Sequence, residues 1–142
     1  YEIGSGLVGS EMCIRDSSVI YFTAAGLFDI LAENTFGKRQ DKDSDVFEHI
    51  YDCDLLIIDD LGTELPNSFT VSQLFICLNE RILRQKSTII STNLALEDIK
   101  SIYSERTFSR ISSNYTILRI TGDDIRIQKK LLNLGGTNDV TP

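Results

Sequence analysis

From Ser18 onward, short apolar runs alternate with amphipathic stretches. Val19-Ile20-Tyr21-Phe22-Thr23 is β-branched and aromatic, which predicts a strand. Ala24 to Asn34 carries Leu27, Phe28, Ile30 and Leu31 at helical spacing. Gly37 to Asp43 is polar and mixed in charge, a solvated loop, and Val46, Phe47 and Ile50 then predict a short helix. Leu55-Leu56-Ile57-Ile58 is an unbroken apolar run, the pattern of a parallel strand covered by helices on both sides, and it ends in Asp59-Asp60. After the loop Leu61–Pro66, Thr70-x-x-Gln73 has the form of a capping box. Val71, Leu74, Phe75, Leu78 and Ile82 follow at helical spacing, with Glu80, Arg81 and Arg84 expected to face outward. Ser87–Thr92 predicts a second buried strand ending at Asn93, and Tyr115–Ile120 a third, stopped by Gly122. Short helices are expected from Leu96 and over Ser104–Ile111.

Strands separated by helical segments imply crossover connections and a mainly parallel α/β sheet flanked by helices. Function in such sheets gathers at the carboxyl ends of the strands. Thr23, Asp59-Asp60 and Thr92-Asn93 all fall at those ends.

Composition narrows the class. At 142 residues the chain fits one domain, and 42% hydrophobic content is too high for a disordered chain. No apolar run approaches the ~20 residues of a membrane helix, so no membrane partner is expected. Fourteen basic and 21 acidic residues give a net charge of −7. That argues against wholesale electrostatic binding of nucleic acid and leaves room for a local basic patch. Cys13, Cys53 and Cys77 are odd in number with no C-x-x-C pair, so a reducing cytoplasm is the simple reading. Cys53 and Cys77 read as small core residues, and His49 as a helix-surface residue.

The first seventeen residues stand apart. Gly4-x-Gly6-x-x-Gly9 has dinucleotide-loop spacing, but no strand precedes it and no Lys-Ser/Thr pair follows. Leu7–Asp16 resembles a translated sequencing-library adapter, with Tyr1-Glu2-Ile3 fitting an outer adapter and Gly4-Ser5-Gly6 an index. Residues 1–17 are therefore expected to be non-native, 18–134 a partial domain and 135–142 a flexible tail. On this reading the native upstream sequence is missing.

Two adjacent acids at the tip of an inner strand can serve a nucleotide. One holds the hydration shell of Mg²⁺ and the other orients the water that attacks the γ-phosphate. The plain alternative is a strand ending in a turn, where Asp is common. Asn93 could hydrogen-bond the γ-phosphate or simply form an Asx turn. Arg106 and Arg110 lie one helical turn apart and could stabilise phosphate charge, including that of a nucleotide on a neighbouring subunit, or face solvent. Arg126 follows the last predicted strand. Lys38, Arg39 and Lys42 form a basic cluster suited to single-stranded DNA, although Asp41, Asp43 and Asp45 dilute it toward an ordinary solvated loop.

LLIIDDLG (Leu55–Gly62), Ser91-Thr92-Asn93, ERTFSRI (Glu105–Ile111) and GDDIR (Gly122–Arg126) occur in the order and spacing of the DnaC/DnaI/IstB-like branch of the AAA+ ATPases, which the chain resembles from Ser18 to about Leu132. The resemblance implies an incomplete AAA+ P-loop NTPase core using ATP and Mg²⁺. It implies that Asp59 is the magnesium-organising Walker B acid, Asp60 the water-polarising acid and Asn93 the sensor 1 residue. Arg110 would be the arginine finger ahead of Arg106, and Arg126 a sensor 2-like residue. Its partners would be a replicative helicase, single-stranded DNA and further copies of the chain, with an arginine supplied in trans. The family's G-x-x-x-x-G-K-[ST] loop, with its strand and helix, has no counterpart in these residues. The chain alone is therefore expected to bind ATP weakly and to expose apolar surface. Two other readings are an IstB-like ATPase assisting a transposase and a non-catalytic interaction module with a decayed nucleotide fold.

Overall fold

The computed structural model describes residues 10–14, 17–37 and 43–135. The strands are β1 (Ser10–Ile14), β2 (Ser17–Thr23), β3 (Leu55–Leu61) and β4 (Ser87–Thr92). The helices are α1 (Ala24–Phe36), α2 (Asp43–Asp52), α3 (Ser68–Leu83), α4 (Leu96–Tyr103), α5 (Glu105–Asn114) and α6 (Ile125–Gly135). The sheet order is β1-β2-β3-β4. β2, β3 and β4 are parallel, joined by helical crossovers as the alternating pattern predicts, while β1 runs antiparallel along β2. β1 lies inside the adapter-like segment, and Ser17 opens β2. Open strand edges accept any extended neighbour, so this pairing carries no information about the origin of residues 10–14.

Period-2 alternation decides which face of the sheet is covered. Ile20 and Phe22 of β2 stand opposite Leu56 and Ile58 of β3, and all four are buried. With Leu27, Leu31, Leu74 and Leu78 they form the core. The other face is thinner: Tyr21, Ile57 and Ile89 share one register row, with Tyr21 and Ile57 half-buried and Ile89 53% exposed. The covering on both sides expected of β3 is therefore realised on one face among the described residues.

Three further expectations are corrected. Tyr115–Ile120 forms no strand. Tyr115 packs against the core, but Ile117, Leu118 and Ile120 are exposed and the segment is unpaired. A β-prone sequence becomes a strand only beside a partner ladder, and none receives it here. The capping box lies three residues earlier than Thr70-x-x-Gln73. Asn67 Oδ1 accepts the Thr70 N–H at 2.9 Å, and Thr70 Oγ1 accepts the Asn67 N–H at 2.9 Å.

Arg81 does not face outward; it is fully buried. Its Nη1 donates to Ile50 O at 2.7 Å, in the last turn of α2, and Nε donates to Thr88 Oγ1 at 2.9 Å. Nη2 donates to Ser87 O, and Cys53 Sγ lies 3.2 Å from Nη1. A guanidinium here satisfies carbonyls at the negative end of a helix and ties α2 and α3 to the start of β4. Cys53 and Cys77 are buried core residues as expected, and burial pushes the Cys77 thiol up to about 12.

Candidate functional site

The parallel register brings the strand ends together: Thr23 stands opposite Asp59, and Leu61 opposite Thr92. Between Ile58 and Leu61 the β3–β4 register shifts, so the acid pair occupies a bulge. Bulges re-aim side chains at strand ends. Asp60 adopts φ +55°, a left-handed conformation that Asp tolerates better than most residues. Its N–H donates to Asp59 Oδ1 at 3.1 Å and to Ser91 Oγ at 3.0 Å.

Asp59 is held from three directions. Tyr21 O–H donates to Oδ2 at 2.6 Å, while the Ser91 hydroxyl and the Asp60 N–H both reach Oδ1. The hydrogen bonds from Ser91 and Tyr21 keep the Asp59 carboxyl below its ordinary value, against an opposing push from partial burial. Donating to that carboxylate in turn raises the Tyr21 phenol. Asp59 is thus a fixed anion, half-buried, beside the exposed Asp60. Asn93 follows β4 directly, exposed, two residues beyond Ser91. The acid pair and Asn93 are neighbours across β3 and β4 and not on remote edges.

The Asn93 loop is itself pinned. Thr92 Oγ1 donates to Leu61 O at 2.6 Å and accepts the Leu94 N–H at 3.1 Å. Gly62 adopts φ +101°, and a Cβ there would come within 2.4 Å of Leu94 Cδ1, so this close approach requires glycine.

The candidate arginines separate into two places. Arg106 and Arg110 lie on α5, lining an open hollow of about 440 Å³ with Phe75 and Ser109. The Arg106 guanidinium sits 4.7 Å over the Phe75 ring. Arg110 is exposed and forms no salt bridge among the described residues. Arg126 is exposed in the first turn of α6, its N–H donating to Asp124 Oδ1 at 2.8 Å. None of the three arginines hydrogen-bonds the acid pair among the described residues. Lys38, Arg39 and Lys42 lie outside the described residues.

Tyr21, Glu64 and Tyr103 have no role in the sequence reading, and Ser91 enters it only within Ser91-Thr92-Asn93. Strand alternation does place Tyr21 on the same face as Thr23, and hence beside Asp59. No linear pattern links Glu64 to Tyr103.

Among the described residues no group of three or more His, Cys, Asp and Glu side chains could enclose a metal ion. Adjacent carboxylates with a neighbouring hydroxyl and amide do suit magnesium, which keeps several waters and binds through one or two carboxylates plus phosphate oxygens.

The fold has counterparts among solved structures. A crystal structure of the DnaC helicase loader superposes with a TM-score of 0.61 at 24% identity, covering 71% of this chain and 60% of that one. AMPPCP-bound DnaA from Aquifex aeolicus matches with a TM-score of 0.56 at 21% identity, covering 87% of this chain and 38% of that one. The chain thus spans less than two thirds of either structure, and at these identities the likeness is one of fold: a partial AAA+ P-loop core. No curated protein matches the chain. The IstB-like ATP binding protein family matches residues 7–133, nearly the whole length. With three parallel strands, flanking helices and the acid pair at the strand ends, the chain belongs to the IstB-like ATP-binding family of AAA+ proteins.

Proposed function

We propose that this chain is part of the ATPase domain of a DnaC/DnaI-like helicase loader acting in DNA replication in the cytoplasm. Binding and hydrolysis of ATP would be coupled to placing a replicative helicase on single-stranded DNA. The observation that carries the reading is the Ser91–Asp59 hydrogen bond, which joins the acid-bearing end of β3 to the strand that presents Asn93. On this reading residues 18–134 are the partial domain, residues 1–17 are non-native, and residues 135–142 are a tail.

Asp59 is the acid that would face Mg²⁺ through water, and the ion, when bound with ATP, supplies charge neutralisation on the phosphates. Its three hydrogen-bond donors keep the carboxylate ionised and fixed in direction. Asp60 accepts a proton from, or orients, the attacking water, and Asn93 donates to the γ-phosphate. Arg110 acts on the nucleotide of a neighbouring copy: it is free to extend, whereas Arg106 is spread over Phe75. Arg106 is the second candidate for that role. Arg126 contacts phosphate from the C-terminal side, and Lys38, Arg39 and Lys42 touch single-stranded DNA.

A second reading, an ATPase that assists a transposase, is favoured by the family match over residues 7–133. A transposase gene beside this one would support it, and a replication gene the first reading.

The phosphate loop supplies most phosphate contacts in such proteins, and the sequence contains no G-x-x-x-x-G-K-[ST] segment. Titration of a fluorescent ATP analogue into this chain is expected to give a dissociation constant of millimolar order, on the order of 4 kcal/mol of binding. Asp59→Asn and Arg110→Ala should leave that weak affinity nearly unchanged. A micromolar constant would overturn the view that such a loop is needed for tight binding.

A further inference from the structure

The loop that follows the acid pair is held by a carboxylate that the proposed chemistry does not use. Glu64 Oε2 accepts the Gly62 N–H at 3.0 Å, and Glu64 Oε1 accepts the Tyr103 hydroxyl. Tyr103 is the last residue of α4 and is fully buried. Burial, then the bond to Glu64, raises its phenol, so it stays a neutral donor. The next residue, Ser104, has φ +86° and caps α5, its Oγ accepting the Thr107 N–H at 3.4 Å, with Thr107 also fully buried. Arg106 and Arg110 project from that same helix.

At its other end the loop is equally fixed. Thr63 donates to Asp60 O through Oγ1 at 2.9 Å and through its N–H at 3.3 Å. Gly62 is pressed against Leu94, beside Asn93. The acid loop thus meets the Asn93 loop at Gly62 and the corner between α4 and α5 at Glu64.

We propose that Glu64 and Tyr103 are positioning residues that lock the acid loop to the arginine-bearing helix, so that a change at Asp59 is relayed to Arg106 and Arg110. This rests on the nucleotide reading of those residues and goes beyond it by making the two halves of the site mechanically dependent. The fully buried Tyr103 hydroxyl is met by Glu64 and by the Gly62 N–H, both on the acid loop, so either contact ties α4 to that loop. A buried donor or acceptor left unsatisfied is costly, so the two elements move together or the bond breaks.

The test uses the 142-residue chain without nucleotide. In the native background, Asp59→Asn should shift the Nε resonances of Arg106 and Arg110 in nitrogen-edited NMR. With Tyr103→Phe as background, that shift should be lost. Tyr103→Phe alone should speed amide exchange about tenfold at both Gly62–Glu64 and Ser104–Phe108, while Leu56–Ile58 change little. Glu64→Gln, which preserves shape if the Phe variant folds poorly, should open the same two segments, and the double variant should open them no further. Two results would overturn the proposal. One is an Asp59→Asn shift that persists without the Tyr103 hydroxyl; the other is exchange that rises in only one segment for each variant. Because the test contains no nucleotide, an intact relay alongside a failure to bind ATP at any concentration would sink the nucleotide reading alone.

Discussion

Arg81 is the most exacting test of how this fold is held. Its guanidinium is fully buried and forms no salt bridge among the described residues, meeting instead Ile50 O, Ser87 O and Thr88 Oγ1. Replacing it with Leu removes these three charge-assisted hydrogen bonds, each with a net contribution of about 1.5–3 kcal/mol, besides weaker contacts to Tyr51 O and Cys53 Sγ. Gross loss from those three is therefore roughly 4.5–9 kcal/mol. Two effects offset it: the desolvation cost of a buried cation, several kcal/mol, disappears, and Leu recovers some apolar burial. The net expectation is a loss of roughly 3 kcal/mol, a large share of the 5–15 kcal/mol typical of a domain. At a urea slope of about 1.5 kcal/mol/M, the unfolding midpoint falls by about 2 M. Far-ultraviolet circular dichroism through a urea series measures it, since the chain has no Trp. Arg84, three residues on, is the internal control. Its guanidinium pairs with Glu48 at 2.9 Å, but the Glu48 side chain is 64% exposed and the pair is screened by solvent, so Arg84→Leu should move the midpoint far less than Arg81→Leu. Equal midpoints for the two variants would refute the view that Arg81 organises the α2, α3 and β4 junction.

Other consequences follow from single positions. Gly62→Ala places a Cβ against Leu94 at a positive φ and should destabilise by roughly 2 kcal/mol in the same urea assay, whereas a free loop would tolerate it. The folded-state pKa of Asp59 lies below its unfolded value, so its ionised form adds stability above about pH 4 that is lost as pH falls through the folded value. Asp59→Asn should therefore be less stable than the parent at neutral pH, with the gap closing in acid; a gap independent of pH contradicts the hydrogen-bonded carboxylate. Ile89 is 53% exposed on β4, the terminal strand of the described sheet. Ile89→Lys should raise the soluble yield and change stability by under about 0.5 kcal/mol, checked by concentration-dependent light scattering. Unchanged scattering would show that this surface does not drive association.

Much of the molecule was legible in the linear pattern. The apolar run of β3, the helical spacing of α1, α3 and α5, and the acids and amide at strand ends all depend on local periodicity, which one chain segment can express by itself. Parallel pairing followed from the alternation of strands and helices, and it brought Asp59 beside the Asn93 strand. Other features depend on neighbours that no local pattern names. Arg81 reads as a surface cation because charged residues seldom enter cores; only the tertiary fold supplies the carbonyls of Ile50 and Ser87 that make its burial favourable. Tyr115–Ile120 has strand propensity, yet a strand is a property of a pair of segments, and the fold gives it no partner. The bonds from Tyr21 to Asp59 and from Tyr103 to Glu64 span 38 and 39 residues. The sequence determined which side chains could carry charge and where strands would end; the tertiary structure decided which of them meet, because hydrogen bonds reach about 3 Å while the chain between these partners can adopt many paths.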